Sequence, residues 1–294
     1  KIFFRSRNLD YISQNLKKIT LQTSANKIFE AINSYSEDSE VRYVGGCIRK
    51  IVKKETVDDI DLATNLKPVE VCEALKKNAI DFYETGVEHG TITAIIEKQK
   101  YEITSLRKDV TTDGRHANVE FSLDWQEDAA RRDFTINSIY SDKEGNLFDP
   151  HNGKKDIEDG HIKFIGDAED RIKEDYLRVL RYIRFFVNYS NYKHNPEIIK
   201  IIKRNIEGIS QLSSERLLDE FKKLTKSNSF LKLFNDEESL ELIKIIFPQF
   251  KNLDSFKKIN SHALKNIFKA DFIFLISLLI VDGTDNTDYF FYKF

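Results

Sequence analysis

The apolar positions of residues 9 to 36 fall at helical spacing, with Leu9, Ile12, Leu16 and Ile19 on one stripe and Ile28 and Ile32 on the next. Thr23 and Ser24 stand between the stripes as caps, so the spacing predicts two helices. Short β-rich runs then recur: VRYVG from 41, DDIDLA from 58, TITAIIE from 91, YEITSL from 101 and NVEFSL from 118. A helix is expected to open near Pro68, between the second and third of these runs. The pattern is that of an α+β domain over residues 25 to 150.

A turn-rich stretch, DPHNGKKDIEDG at 149 to 160, is expected to close that domain. Beyond it the periodicity is helical almost to the end, with segments near 167–188, 195–205, 213–226, 238–247 and 261–281. Residues 282 to 294 break the pattern, and a further helical part is expected to be missing from that end. No repeat of fixed period and no low-complexity tract is present.

Composition adds bounds to this outline. At 294 residues, 40% hydrophobic and 12% aromatic, the chain can fill the cores of two or three domains. A net charge of −2 hides an uneven distribution: residues 171 to 210 hold nine Lys or Arg against four Asp or Glu, so any attraction for a polyanion is local. The two cysteines, Cys47 and Cys72, lack zinc-like spacing and point to a reducing, cytoplasmic setting. The longest apolar run, FIFLISLLIV at 272 to 281, falls short of the roughly 20 residues that a membrane span needs, and no apolar leader opens the chain. Neither membrane insertion nor export is expected. Methionine is absent, so the chain is read as trimmed or altered relative to a full reading frame.

The candidate chemistry begins at VDDIDLATN, residues 57 to 65. In a strand, Asp59 and Asp61 project to one face while Ile60 and Leu62 enter the core. An edge strand with solvated acids is the plain alternative for an isolated Asp-x-Asp. Fourteen residues before Asp59, however, Gly45 and Gly46 follow a β-like run and precede a helical one, where backbone N–H groups can approach a phosphate. With Arg49 and the paired acids, this assembles a triphosphate site: N–H donors and a guanidinium for phosphate oxygens, and carboxylates for Mg²⁺, with two ions expected.

The string Gly45-Gly46-x-x-Arg49, nine residues, then Asp59-x-Asp61-Leu62-Ala63-Thr64 resembles the head signature of class II tRNA nucleotidyltransferases and bacterial poly(A) polymerases. RRDFTIN at 131 to 137 is similar to that family's ribose-reading motif, which implies nucleotide contacts for Arg132, Asp133 and Asn137. EDYLRVLRYIRF at 174 to 185 resembles its base-selecting helix. There Asp175 and Arg178 match the pair that serves as a protein template for C and then A, and Arg181 and Arg184 match its phosphate-side arginines. At 100° per residue Arg171, Asp175, Arg178 and Arg181 share one sector opposite Ile172, Tyr176, Val179, Leu180, Ile183 and Val187, and Asp175 and Arg178 can brace one another. SSERLLDEFKKL at 213 to 224 resembles a buttressing segment, with Ser213 as N-cap and Leu217, Leu218, Phe221 and Leu224 as core.

The resemblance implies a nucleotidyltransferase head with a mixed β-sheet at residues 1–155, an all-helical neck at 156–225 and a partial helical body at 226–294. It implies template-independent addition of C and A to the tRNA 3′ end from CTP and ATP, with release of pyrophosphate. Asp59 and Asp61 are expected to act as catalytic metal ligands and Gly46 and Arg49 to hold the triphosphate, while the basic residues Lys193, Lys200, Lys203 and Arg204 are expected to grip the acceptor end. The basic stretch that marks poly(A) polymerases is not matched by FYETGVEHGTITAII, which favours the tRNA enzyme. RKDVTTDGRHANVEF at 107 to 121 retains the loop that CC-adding relatives shorten, so addition of A is expected, with Asp113, Gly114 and Arg115 as a lever or a plain surface turn. One departure stands out: Lys50 follows Arg49 where the family usually has aspartate. Addition of CC or A alone, a poly(A) polymerase and a catalytically impaired RNA-binding relative remain the alternatives.

Overall fold

The computed structural model describes residues 2–87, 90–112, 117–227, 230–259, 266 and 271–281. The chain divides into two compact units, Lys1–Asp167 and Ala168–Phe294.

In the first unit, α1 (Ile2–Gln22) and α2 (Ala25–Asn33) form where the apolar stripes predict them. Between them Thr23 Oγ1 donates back to Ile19 O at 2.7 Å and accepts the Ala25 N–H at 3.3 Å. α2 buries Ile28, Phe29 and Ile32, and the Phe29 ring meets Tyr43 at 4.9 Å. Tyr43 lies on β1 (Val41–Val44), which is followed by α3 (Gly46–Val52), β2 (Asp61–Thr64) and α4 (Pro68–Lys77). Next come β3 (Asp81–Gly86), β4 (Thr91–Ile96), β5 (Gln99–Ser105), β6 (Arg107–Thr112), β7 (Ala117–Phe121), α5 (Trp125–Ala130), β8 (Tyr140–Ser141), β9 (Leu147–Phe148) and α6 (Gly153–Asp159).

Seven of these strands form one mixed sheet in the order β3-β4-β5-β2-β1-β8-β9. β2 runs parallel to β5, and every other neighbouring pair in this sheet is antiparallel. β4 and β5 are joined through Glu97 and Lys98, both at positive φ, the backbone that a tight two-residue hairpin requires. The edge strand β3 escaped the sequence pattern because Asp81, Tyr83 and Glu84 are all exposed and show no apolar alternation. NVEFSL pairs with β6 in a separate two-stranded ribbon. The connecting residues Asp113, Gly114 and Arg115 lie outside the described residues.

The expected boundary at 149 to 160 is instead part of the first unit. Asp149 accepts the Gly153 and Lys154 N–H groups at 2.7 and 2.9 Å and so starts α6. A Cβ on Gly153 would stand 2.0 Å from Thr135 O, so glycine alone permits this approach. Asp156 on α6, 4% exposed, takes Thr135 Oγ1 at 2.8 Å and Lys163 Nζ at 2.6 Å, which ties the helix beneath the 3₁₀ turn Thr135–Asn137.

The second unit is helical: α7 (Ala168–Glu174), α8 (Leu177–Tyr189), α9 (Pro196–Asn205), α10 (Ser214–Thr225), α11 (Glu237–Ile246) and α12 (Phe272–Ile280). Its core gathers Val179, Leu180 and Ile183 of α8 with Phe221, Phe247 and Phe250, whose rings lie 4.7 to 5.1 Å apart. His194 pins α8 to α11: its ring stacks on Phe186 at 3.5 Å, Nδ1 meets Tyr182 OH, and Nε2 meets Asp236 and Ser239. Residues 167 to 188 do not form the single helix expected. The chain breaks at Asp175–Tyr176, and the Tyr176 ring occupies the space where a Cβ of Gly208 would stand, 2.1 Å away. Among the described residues no helix is long and apolar enough to cross a membrane.

Candidate active site

β1 ends at Val44 and the chain turns through Gly45, whose φ of 65° and ψ of −108° are readily adopted only by glycine. The Gly45 N–H donates to Ile139 O at 3.1 Å, and a Cβ there would stand 3.4 Å from Asn137 O. At Gly46 a Cβ would lie 3.7 Å from Asp61 Oδ2 and 3.8 Å from an Arg49 guanidinium nitrogen. The glycine pair thus keeps the backbone bare between a carboxylate and a guanidinium.

The two acids occupy a shorter strand than expected. β2 begins at Asp61, because its partner β1 gives way to the Gly45 turn and the ladder closes at Tyr43↔Leu62. Asp59 lies in the extended segment before it. The alternation still holds: Ile60 and Leu62 are buried, Asp59 is exposed and Asp61 half-buried. Burial pushes the Asp61 carboxyl above the usual carboxylate range, and the charges of Glu102 and Asp59 add to the rise against the opposing pull of Arg132 and Arg49.

Glu102 is a third acid that the sequence reading did not single out. It stands opposite Asp61 in the parallel β2–β5 register and therefore shares its face. The available signal was its place between buried Tyr101 and Ile103.

Arg49, 8% exposed, donates to Asn137 Oδ1. The same amide donates through Nδ2 to Asp133 Oδ1 at 2.9 Å, an oxygen that also accepts the Phe134 N–H at 2.8 Å. Phe134 and Ile136 are fully buried, so the RRDFTIN segment is anchored by its apolar residues, while Arg132 and the Asn137 carbonyl face the Gly45 turn. Asp128, 1% exposed, holds this arrangement from behind. It accepts from Arg131, Arg132 and the Tyr140 hydroxyl at 2.6 to 3.2 Å. Burial pushes the Asp128 carboxyl up, but the two guanidiniums and the hydroxyl outweigh it and hold the group at about 2. From this anchor Arg132 reaches Asn137 O at 3.4 Å. The first unit therefore brings Gly45, Gly46, Arg49, Asp59, Asp61, Arg132, Asp133 and Asn137 into one neighbourhood.

Lys50 is engaged by Asp58, with its ammonium on Asp58 Oδ1.

In the second unit, Asp175 and Arg178 do not brace one another through their side chains as expected, because the helix break separates them. Asp175 accepts the Leu177 N–H at 3.1 Å and Arg216 Nη2 at 2.9 Å. Arg178 Nη1 donates to Glu174 Oε2 and Arg171 O, both at 2.7 Å. Arg184 pairs with Glu220 and lies over the Phe185 ring at 4.1 Å, and Arg181 stands 3.8 Å from the same carboxylate, which is 2% exposed. Sequence reasoning assigned no role to Glu174, Arg216 or Glu220, although all three lie inside the motifs it quoted. Ser213 caps α10, Phe221 and Leu224 are buried and Leu217 is half-buried, but Leu218 is 37% exposed rather than core. Lys200 pairs with Glu197, Lys203 with Glu238 and Glu241, and Arg204 with Glu169, so the local positive surplus is partly neutralised.

The donor set fits a hard divalent cation. Mg²⁺ takes one or two protein carboxylates and completes its shell with water and substrate phosphate, and here Asp61, under the repelling charges of Glu102 and Asp59, stands beside the bare Gly46 backbone. Among the described residues no cluster of three or more His, Cys, Asp or Glu closes around one point. An ion at this place would be held by Asp59 and Asp61, with Glu102 beside them.

A sheet-borne glycine turn facing paired acids defines a nucleotidyltransferase-type head. Residues 41–163 match the poly(A) polymerase head domain, and residues 191–253 match the probable RNA and SrmB-binding site of polymerase A; the chain belongs to this family. It is 40% identical over 230 residues to the human CCA tRNA nucleotidyltransferase 1, mitochondrial, an alignment covering 77% of this chain and 53% of that protein. It is 36% identical over 204 residues to the CCA-adding enzyme of Lactobacillus johnsonii, covering 69% and 50%. The chain thus spans about half the length of these relatives. The fold resembles the Bacillus stearothermophilus CCA-adding enzyme in complex with CTP, with a TM-score of 0.64 at 23% identity over 83% of this chain and 65% of that one.

Proposed function

We propose that the chain carries the catalytic and nucleotide-selecting parts of a tRNA nucleotidyltransferase that adds C and A, without a nucleic-acid template, to the 3′ end of tRNA from CTP and ATP. The observation that carries this reading is the placement of Asp61 Oδ2 beside the bare Gly46 backbone and Arg49. The similarity to CCA-adding enzymes from human and Lactobacillus johnsonii supports it.

Gly45 and Gly46 admit the triphosphate close to the main chain, and Arg49, held by Asn137, meets its oxygens. Arg132, anchored by Asp128, and Asp133, bonded to Asn137, meet the sugar. Asp59 and Asp61, with Glu102 in reserve, hold up to two Mg²⁺ ions, which when bound would activate the tRNA 3′-hydroxyl and stabilise the leaving pyrophosphate. Asp175 and Arg178 read the base edge. Arg181, Arg184 and the Lys193–Arg204 surface contribute positive charge toward RNA phosphates, giving a salt-dependent grip on the acceptor end. The head occupies the first unit, Lys1–Asp167, and the neck and body divide the second, Ala168–Phe294, near residue 225. A reducing compartment suits the two free cysteines. We take it to be the cytoplasm; the alternative is the mitochondrion, named for the vertebrate relatives.

The test is incubation with Mg²⁺, tRNA lacking its 3′ end, and labelled CTP or ATP singly and together. Stepwise incorporation of C then A is expected. Binding of tRNA without incorporation would overturn the reading in favour of an RNA-binding relative. Long A tails on arbitrary RNA would favour a poly(A) polymerase.

A further inference from the structure

Three acids, not two, crowd the approach to β2: Asp58, Asp59 and Asp61. Asp58 is exposed and sits in an irregular segment, where no ladder fixes the direction of its side chain. Lys50 supplies that direction. Its ammonium holds Asp58 Oδ1, and the same oxygen accepts the Asp59 N–H at 3.1 Å. The Lys50 carbonyl also accepts the Glu55 N–H at 2.8 Å, so one residue of α3 tethers the loop at two points. The helix that carries Gly46 and Arg49 is thereby tied to the segment that delivers Asp59.

A carboxylate next to two metal ligands is itself a hard oxygen donor and competes for the same cation. Paired with an ammonium, it is withdrawn from that competition. We propose that Lys50 is a positioning residue: it holds Asp58 aside, so that the run Asp58-Asp59-Ile60-Asp61 offers a divalent ion Asp59 and Asp61 alone. This rests on the metal-site reading above. In this account the positive charge at position 50 leaves the phosphate site unimpaired and compensates an additional acid at position 58.

The test is a Mn²⁺ titration followed by electron paramagnetic resonance, with Mg²⁺-dependent incorporation measured in parallel. Five proteins are compared: the unaltered chain, Lys50→Arg, Lys50→Met, Lys50→Met/Asp58→Asn and Asp61→Ala. Release of Asp58 in Lys50→Met is expected to tighten Mn²⁺ binding roughly threefold to tenfold, the effect of one freed surface charge, while incorporation falls because the ion is drawn off its position. Lys50→Arg and the double variant should both titrate like the unaltered chain. Removal of Asp58 rescues the loss only if Asp58 causes it, so a merely structural role for Lys50 would not give that pattern. The proposal is overturned if Lys50→Met binds Mn²⁺ like the unaltered chain, or if Asp58→Asn fails to reverse its effect. It falls together with the metal-site reading if the unaltered chain and Asp61→Ala bind Mn²⁺ equally, a result that separates the two failures.

Discussion

Arg216 on α10 donates through Nη2 to Asp175 Oδ2 at 2.9 Å, while the other oxygen of Asp175 takes the Leu177 N–H at 3.1 Å. Both oxygens are thus engaged, and a helix remote in sequence sets the aim of the residue proposed to read the base. Arg216→Ala should lower discrimination between CTP or ATP and UTP or GTP about fivefold to tenfold, measured by misincorporation. Because the Arg216 side chain is 41% exposed, the stability cost should stay near 1 kcal/mol or less. Arg216→Lys should restore part of the discrimination.

Asn137 takes a hydrogen bond from Arg49 and gives one to Asp133, a role that needs an acceptor and a donor on one planar group. Asn137→Ala leaves both charged neighbours with one partner fewer. Urea unfolding should show a loss of about 1–3 kcal/mol, and nucleotide affinity should fall with it.

Asp128 carries a sign that acid titration can check. Its folded value of about 2 lies below that of an unfolded aspartate, about 3.9, so its contribution to stability is complete above that range and drains away as pH falls toward 2. Asp128→Asn should cost about 3–5 kcal/mol at neutral pH, since it strips a buried partner from two arginines. The slope of stability against pH between about 4 and 2 should flatten in the variant.

Asp61 has the opposite sign. Its carboxyl is raised, so the ionised form weighs against folding above the usual carboxylate range, and stability gains as pH falls through the raised value. Asp61→Asn should therefore raise the melting temperature of the metal-free protein, by on the order of 2–4 °C, while abolishing Mn²⁺ binding and incorporation. Thermal scans with and without Mn²⁺ give both results.

Much of the head was legible because its signals are local. Gly45 and Gly46 announce a turn, Ile60 and Leu62 set the faces of a strand, and Phe134 and Ile136 mark the anchors of RRDFTIN. Glu102 was missed because its nearness to Asp61 arises from a parallel pairing between segments far apart in sequence, which no local period encodes. The break at Asp175 was missed because the apolar stripe continues across it. What interrupts the helix is a side chain accepting the Leu177 N–H and an aromatic ring fitted against a glycine more than one helix away. Glu174 and Arg216 read as ordinary surface charges until the helices that carry them are packed together. The 149–160 stretch looked like a linker because its turn residues are real, yet those residues are what let α6 close on the 3₁₀ turn.

The single parallel pairing in the head sheet makes the candidate chemistry hostage to the ladder register. The short hairpin at Glu97–Lys98 delivers β5 to its place beside β2, and side chains alternate between faces with every step. Deleting one residue from that hairpin would rotate Glu102 to the far side of the sheet and bring a neighbouring apolar side chain up against Asp61. The electrostatics of the candidate site would then change without substitution of any of its acids.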